Sequence, residues 1–172
     1  MLKPPDVARI DEFLATLHEA LKAKGYKVAV AESLTGGALG AAMASRDGAS
    51  KVFVGGAITY TNEEKVRQCG VTRAALTTHS AVSEEVARQM ATGIRWATGA
   101  DIGISTTGYA GPGPGERGEP AGTFYVGVAL ADDLDMVVTA HGYLGEGGRN
   151  AVRFQAVAAA LYEACQILNT WA

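Results

Sequence analysis

The sequence has 172 residues, of which 48% are hydrophobic, and a formal net charge of −3. This length fits a single domain, which we take to span residues 1–172. Lys and Arg are scattered over a net acidic chain, so no basic field for nucleic acid is indicated. No run reaches the ~18 apolar residues of a membrane span, and no apolar segment follows Met1, so we expect a cytoplasmic protein with no membrane partner.

The first elements are a helix, a strand and a second helix. Apolar residues recur at helical spacing over 7–21, and Gly25 stands where a glycine ends such a helix. Residues 27–31 favour a strand, and the alanine-rich stretch 38–45 favours a helix. Ser33 therefore lies on the turn between strand and helix. Backbone N–H groups at the start of the second helix would suit an oxyanion there, although the turn taken alone is better explained by hydroxyls that cap the helix.

A second strand and helix repeat this arrangement. Residues 52–61 predict a strand, with a bulge at Gly55–Gly56. Asn62 is expected to cap the next helix, which contains Lys65 and ends at Gly70. The strand end and the helix start again meet at polar residues.

A short helix and turn are expected within 71–80. Ser83 then caps a longer helix, whose buried face is predicted to carry Val86, Met90, Ile94 and Ala97. A strand over 101–107 leads into a Gly- and Pro-rich loop at 108–122. Loops of this length in a compact domain are usually functional, so we interpret this one as part of a site.

The C-terminal part predicts a hairpin and a last helix. Strands over 123–130 and 136–144 flank the turn signal Asp132–Asp133, and a second glycine-rich turn follows at 145–148. Arg149 opens the final helix, whose inward residues are expected to be Val152, Ala156, Ala159 and Ala160. The alternating elements predict an α/β fold, a three-layer α/β/α sandwich with a mixed central sheet.

Ligands of such folds bind at the strand ends, where Ser33, Tyr60, Lys65, Thr107 and Arg149 are all predicted to lie. A serine hydroxyl is a poor nucleophile until a base removes its proton, and a lysine can be that base if partial burial or a neighbouring cation lowers its pKa. Each residue also has a plain structural explanation, since lysine is usually solvated on a helix and tyrosine is usually half-buried in a strand. The catalytic interpretation depends on their occurring together.

Six segments occur in order along the chain: AESLTGG at 31–37, TYTNEEK at 59–65, AVSEEVARQMATG at 81–93, TTGYAGPGPG at 106–115, GTFYVGVA at 122–129 and GRNAVRFQAVAAAL at 148–161. Together they resemble the CinA C-terminal domain family, which includes nicotinamide mononucleotide (NMN) deamidases. The resemblance implies hydrolysis of the carboxamide of NMN to nicotinate mononucleotide and ammonia, without a metal or organic cofactor.

The resemblance also implies roles for residues. Ser33 would be the nucleophile, Lys65 the base, and Tyr60 a partner that orients or relays the proton. The expected substrate-binding residues are Thr35, Gly36, Gly37, Thr107, Gly108 and Arg149, the last of which would bind the phosphate.

Two departures from the family pattern are Leu34, where the motif usually has cysteine, and Tyr109, where it commonly has an aliphatic residue. The chain is expected to be a standalone version that lacks the additional N-terminal domain of longer CinA proteins. The alternative function is a non-catalytic nucleotide-binding or regulatory member of the same family. The oligomeric state stays open, and a homo-oligomer is one of the options.

Overall fold

The computed structural model describes residues 1–131, 136–142 and 147–169. For Asn169, it describes the backbone alone. A single 3₁₀ turn, Val7–Arg9, precedes the first helix. The helices are α1 (Ile10–Lys24), α2 (Ala38–Ala44), α3 (Asn62–Cys69), α4 (Arg73–His79), α5 (Glu84–Thr98) and α6 (Gly148–Asn169). The strands are β1 (Val28–Glu32), β2 (Phe53–Ile58), β3 (Ile102–Gly108), β4 (Thr123–Leu130) and β5 (Met136–Gly142).

The strands form one five-stranded sheet in the order β2-β1-β3-β4-β5. Strand β1 pairs in parallel with both β2 and β3, whereas β4 pairs antiparallel with β3 and with β5. The predicted mixed sheet is therefore confirmed. The register of β2 shifts by one residue between Phe53 and Gly55, and Gly55 has a φ of +131°, as expected for a bulge at a glycine.

Helices cover both faces of the sheet. On β1, Val28 and Val30 join the larger core beneath α1, α2 and α6, whereas Ala29 and Ala31 join a second core beneath α3, α4 and α5. Because successive side chains of a strand point to opposite faces, a buried central strand must supply apolar residues to both cores. The three-layer α/β/α sandwich is thus confirmed, and the four predicted inward residues of α6 are buried.

Most of the predicted helix ends are confirmed, but one predicted helix cap is not. Gly25 and Gly70 adopt left-handed conformations after α1 and α3, and the Ser83 hydroxyl accepts a hydrogen bond from the Val86 N–H. The predicted Asn62 cap is wrong. Thr61 has extended backbone angles and its hydroxyl accepts from the Glu64 N–H at 3.3 Å, so Asn62 is already the first helical residue.

The predicted buried face of α5 is correct except at its last turn. Val86, Met90 and Ile94 are buried, but Ala97 is exposed because the end of α5 borders an open groove beside α3. The short helix predicted within 71–80 is confirmed as α4. The Asp132–Asp133 turn, the end of the predicted strand at Leu144, and Gly145 and Glu146 lie outside the described residues. Within the described ranges, no helix is long and apolar enough to cross a membrane.

Candidate active site

The carboxyl ends of the three parallel strands meet at one edge of the sheet. Ser33 directly follows β1, and its N–H donates to the Thr106 carbonyl of β3 at 3.0 Å. Thr59 directly follows β2, and its N–H donates to the Glu32 carbonyl at 2.7 Å. These backbone bonds extend the ladder by one residue on each side of β1. They fix the serine between the ends of two neighbouring strands.

Lys65 reaches this edge from the second turn of α3. Its Nζ lies 3.0 Å from the Ser33 Oγ and 2.9 Å from the carbonyl oxygen of Thr59, to which it donates. The lysine is 2% exposed and the serine 8% exposed. The parallel crossover from β1 to β2 and the direct turn from β2 into α3 thus bring together two residues that are 32 positions apart in the sequence.

Burial changes the proton affinity of this lysine. Removal of the ammonium from water lowers the pKa of Lys65 to about 8, and a weaker electrostatic effect of Cys69, on the next turn of α3, acts in the opposite direction. Burial also raises the pKa of the Cys69 thiol to about 11, so this neighbour stays neutral. No carboxylate forms an ion pair with Lys65 among the described residues. A lysine with this pKa can be a base near neutral pH.

The N-terminus of α2 does not face the cleft as an open anion site. The buried Glu32 carboxylate accepts hydrogen bonds from the N–H groups of Gly37, Leu39 and Gly40 at 3.0, 3.0 and 2.7 Å. A carboxylate already occupies the positive end of this helix, so the oxyanion site expected there from the sequence is not formed.

Thr35, Gly36 and Gly37 were expected to bind substrate, but none of the three lines the cleft. Thr35 is fully buried and its hydroxyl pairs with that of Thr106 at 2.8 Å. Gly36 and Gly37 do not line the cleft. Both have positive φ, 58° and 99°, so the glycines are needed to turn the chain from β1 into α2.

Arg153 of α6 supports the serine turn from behind. Its guanidinium donates to the Leu34 carbonyl at 3.1 Å and to the Thr35 carbonyl at 2.8 Å. These carbonyls belong to the two residues that follow Ser33. A helix more than a hundred residues further along the chain thus holds the serine turn in place. Leu34 itself is buried in the larger core. The leucine thus fills packing space beside the serine and contributes no polar group.

Thr107 and Gly108 form the opposite wall of the cleft. The Thr107 hydroxyl donates to the Ala81 carbonyl at 2.7 Å, which ties β3 to the segment before α5. Gly108 has no room for a side chain, because a Cβ there would lie 2.4 Å from the Phe124 Cβ and 2.9 Å from the Leu34 Cδ1. Both residues line the cleft. Their first role in the structure is to shape its wall.

Tyr60 and Arg149 form a pair at the rim. Arg149 donates to the Tyr60 hydroxyl at 2.5 Å and to the Gly111 carbonyl at 2.8 Å. Tyr60 is 54% exposed, and within the described part of the chain its hydroxyl contacts neither Ser33 nor Lys65. The structure therefore places Tyr60 with the arginine and not in a proton relay. This pair presents a phenol and a cation to any molecule entering the cleft.

The cleft enclosed by these residues has a volume of about 390 Å³. Ligand pockets usually measure about 300–1,000 Å³, so a small molecule can be accommodated. Its lining comes from the ends of β1 and β2, the first turns of α3, residues 81–82, the loop after β3 and Arg149. The lining contains two cationic side chains, Lys65 and Arg149, and one carboxylate, Glu116. Across the described ranges, no group of three or more His, Cys, Asp or Glu side chains could hold a metal ion.

Residues 10–168 match the CinA C-terminal domain. The chain belongs to the CinA C-terminal domain family. A CinA-like protein of Chlorobaculum tepidum is 46% identical over 134 residues, which cover 76% of this chain and 32% of that protein. A CinA-like protein of Leptospira biflexa is 38% identical over 165 residues, which cover 96% of this chain and 39% of that protein. The chain thus spans about a third of the length of these curated relatives.

Solved structures of CinA proteins share the fold. The competence damage-inducible protein A of Klebsiella pneumoniae superposes with a TM-score of 0.89 at 34% identity, covering 95% of this chain and 99% of that one. A competence/damage inducible protein of Agrobacterium tumefaciens gives a TM-score of 0.87 at 32% identity, covering 97% and 99% of the two chains. The three-layer sandwich of this chain is therefore the CinA fold.

The sequence did not predict the contacts of three side chains at this site. Asn62 lines the cleft instead of capping α3, Glu32 occupies the start of α2, and Arg153 holds the serine turn. Glu32 and Arg153 lie within motifs that carry the family resemblance. The motifs therefore marked these residues, but only the folded chain shows what each side chain contacts.

Proposed function

We propose that the chain is an amidohydrolase that converts NMN and water into nicotinate mononucleotide and ammonia. The observation that supports this most is the 3.0 Å contact between the Ser33 hydroxyl and Lys65, a buried lysine whose pKa is lowered to about 8. A serine with an adjacent weakly basic amine has the two groups required for nucleophilic attack on an amide. The nicotinamide nucleotide as substrate follows from the family resemblance.

In the first half of the reaction, neutral Lys65 takes the proton of Ser33 while the Oγ attacks the carboxamide carbon. The resulting ammonium stands beside the new tetrahedral centre and stabilises its negative oxygen. Collapse of that centre breaks the carbon–nitrogen bond. Lys65 returns the proton to the departing nitrogen, which leaves as ammonia, and an ester on Ser33 remains.

In the second half, water attacks the ester carbon and Lys65 accepts the water proton. The ester oxygen leaves as the Ser33 alkoxide and regains this proton, so that nicotinate mononucleotide and free serine are formed. Lys65 therefore acts as a base and as an acid in each half. Its contact with the Thr59 carbonyl keeps the amine at the serine throughout, because the lysine has one fixed acceptor besides Ser33.

The pH dependence of the reaction should report the titration of Lys65. Only the neutral amine accepts a proton, and with a pKa of about 8 it makes up about a tenth of the lysine at pH 7. We expect kcat/KM to rise about tenfold per pH unit below pH 8 and to level off above it. A profile that is flat from about pH 6.5 to 9.5 would show that another group supplies the base.

Arg149 should act mainly in substrate binding. Its guanidinium sits at the cleft rim, where it reaches Tyr60 and Gly111 and can exchange these neutral partners for a phosphate. Hydrogen bonds to a charged group contribute about 1.5–3 kcal/mol, so Arg149→Ala should raise KM by about 10- to 100-fold with little change in kcat. Arg46→Ala, on an exposed arginine that does not line the cleft, is the control. A fall in kcat at unchanged KM would instead assign Arg149 to the transition state.

The direct test is to incubate the purified protein with NMN and to measure ammonia together with the product by anion exchange. We expect equal amounts of ammonia and of a product with one additional negative charge. Binding of NMN without ammonia release would favour the non-catalytic nucleotide-binding alternative. Absence of both binding and release would reject NMN as the ligand.

A further inference from the structure

Tyr109 supplies an aromatic ring to the wall of the cleft. It directly follows Thr107 and Gly108, and it lines the same cleft as Ser33 and Lys65. The other aromatic side chain in the lining is Tyr60, which is more exposed and is engaged by Arg149. Tyr109 is half-buried, and its function is not explained by the proton transfers described above.

The backbone of Tyr109 is firmly positioned. Its N–H donates to the Thr123 carbonyl at 2.8 Å, and its carbonyl accepts from the Gly122 N–H at 2.7 Å. These bonds continue the pairing of β3 with β4 by one residue. The tyrosine therefore belongs to the rigid end of the sheet, although it is the first residue of the long loop.

The side chain of Tyr109 is held at both its tip and its edge. Its hydroxyl lies 3.1 Å from the Ser80 Oγ, and its ring packs on Gly115, where a Cβ would come within 2.3 Å of the Cε2. Ser80 is buried and has a φ of 76°, which is unfavourable for a residue other than glycine. A strained serine and a glycine thus fix the ring orientation, so little conformational entropy is lost when a ligand packs on the ring.

The ring of Tyr109 matches the charge of the proposed substrate. The nicotinamide ring of NMN is a pyridinium, which carries a positive charge, and aromatic faces attract cations. Glu116, the single carboxylate of the described lining, adds negative potential to the same cleft. Lysine and arginine alone would favour anions and would disfavour a cationic ring.

We propose that Tyr109 is a specificity-determining residue that packs its ring on the cationic nicotinamide ring and so selects pyridinium amides over neutral ones. This inference rests on the proposed function and adds the recognition of the substrate's charge. The phosphate is bound at Arg149 and the pyridinium at Tyr109, which leaves the carboxamide for Ser33.

The test compares NMN with its reduced form, which keeps the ribose, the phosphate and the carboxamide but has a neutral dihydropyridine ring. The two amides differ in intrinsic reactivity, so the quantity to compare between variants is kcat/KM for NMN divided by kcat/KM for reduced NMN. Tyr109→Leu should raise KM for NMN by about tenfold and lower this ratio by the same factor, with little effect on the reduced substrate. Tyr109→Phe, which keeps the ring and loses the Ser80 contact, should retain the wild-type ratio.

Each outcome separates this inference from the proposed function. If the wild-type protein hydrolyses NMN and Tyr109→Leu leaves the ratio unchanged, the role of Tyr109 is wrong while the amidohydrolase assignment stands. If Tyr109→Phe loses as much as Tyr109→Leu, the hydroxyl contact to Ser80 matters and the ring does not, which also overturns the inference. Thermal melting of both variants, together with NMN affinity by calorimetry, identifies any loss that comes from unfolding.

Discussion

Ser33→Ala, Lys65→Ala and the double variant should each lower kcat for NMN by a similar factor, about 10³ or more. The Ser33 hydroxyl and the Lys65 amine share one hydrogen bond of 3.0 Å, so each depends on the other for proton transfer. Removal of one member of such a unit already removes its function, and a second removal adds little. Rates of ammonia release by the three variants, measured at saturating NMN, provide the comparison.

Two surface substitutions serve as controls for the catalytic pair. Ser45→Ala removes an exposed hydroxyl at the end of α2, and Lys22→Ala removes an exposed amine of α1. Both should retain the wild-type rate. If Ser33→Ala keeps most of the activity while Lys65→Ala loses it, then water attacks the amide directly and the covalent mechanism is wrong. If the effects of the single variants multiply in the double variant, the two residues act independently.

Lys65→Met should abolish activity and stabilise the fold at pH 7. A lowering of the pKa from 10.5 to about 8 corresponds to a cost of about 3 kcal/mol for keeping the buried lysine charged. Methionine fills a similar volume without a charge, but it leaves the Thr59 carbonyl without its donor, which costs about 1–2 kcal/mol. The free energy of unfolding should therefore rise by about 1–2 kcal/mol, as measured by urea denaturation.

The pH dependence of this stabilisation follows from the sign of the pKa shift. Between pH 8 and 10.5 the unfolded chain binds the lysine proton and the folded chain releases it, so wild-type stability gains a contribution as the pH rises. Below pH 8 the full cost is present. The advantage of Lys65→Met should thus be constant below pH 8 and shrink towards pH 10.5, with Lys22→Met as the control. An advantage that does not change with pH would mean that the pKa of Lys65 is not lowered.

Much of the fold follows from local patterns in the sequence. The alternation in β1, the glycines that end α1 and α3, and the Ser83 cap each depend on residues within a few positions. Cap identity is harder to predict, because Thr61 and Asn62 are both good caps and the position where the backbone of β2 ends decides between them. Local chemistry therefore predicts which elements exist better than where they begin.

The site could be predicted in part. The meeting of Ser33 with Lys65 follows from parallel strands whose carboxyl ends lie at one edge. The pairing of Tyr60 with Arg149 could not be predicted, because it joins residues 89 positions apart across the cleft rim. Nor does the sequence show that Glu32 already occupies the start of α2, because the anion at the N-terminus of a helix can be either a bound ligand or a side chain of the protein.

Capture of the ester on Ser33 is the most direct test of the covalent mechanism. Wild-type protein mixed with excess NMN should be quenched with acid within the first turnover, digested and examined by mass spectrometry. The peptide carrying Ser33 should gain the mass of NMN less ammonia, and Ser33→Ala should show no such gain. Hydroxylamine should divert the same ester to a hydroxamate. Full-rate ammonia release with no adduct on Ser33 and no hydroxamate would show that no ester forms on the serine.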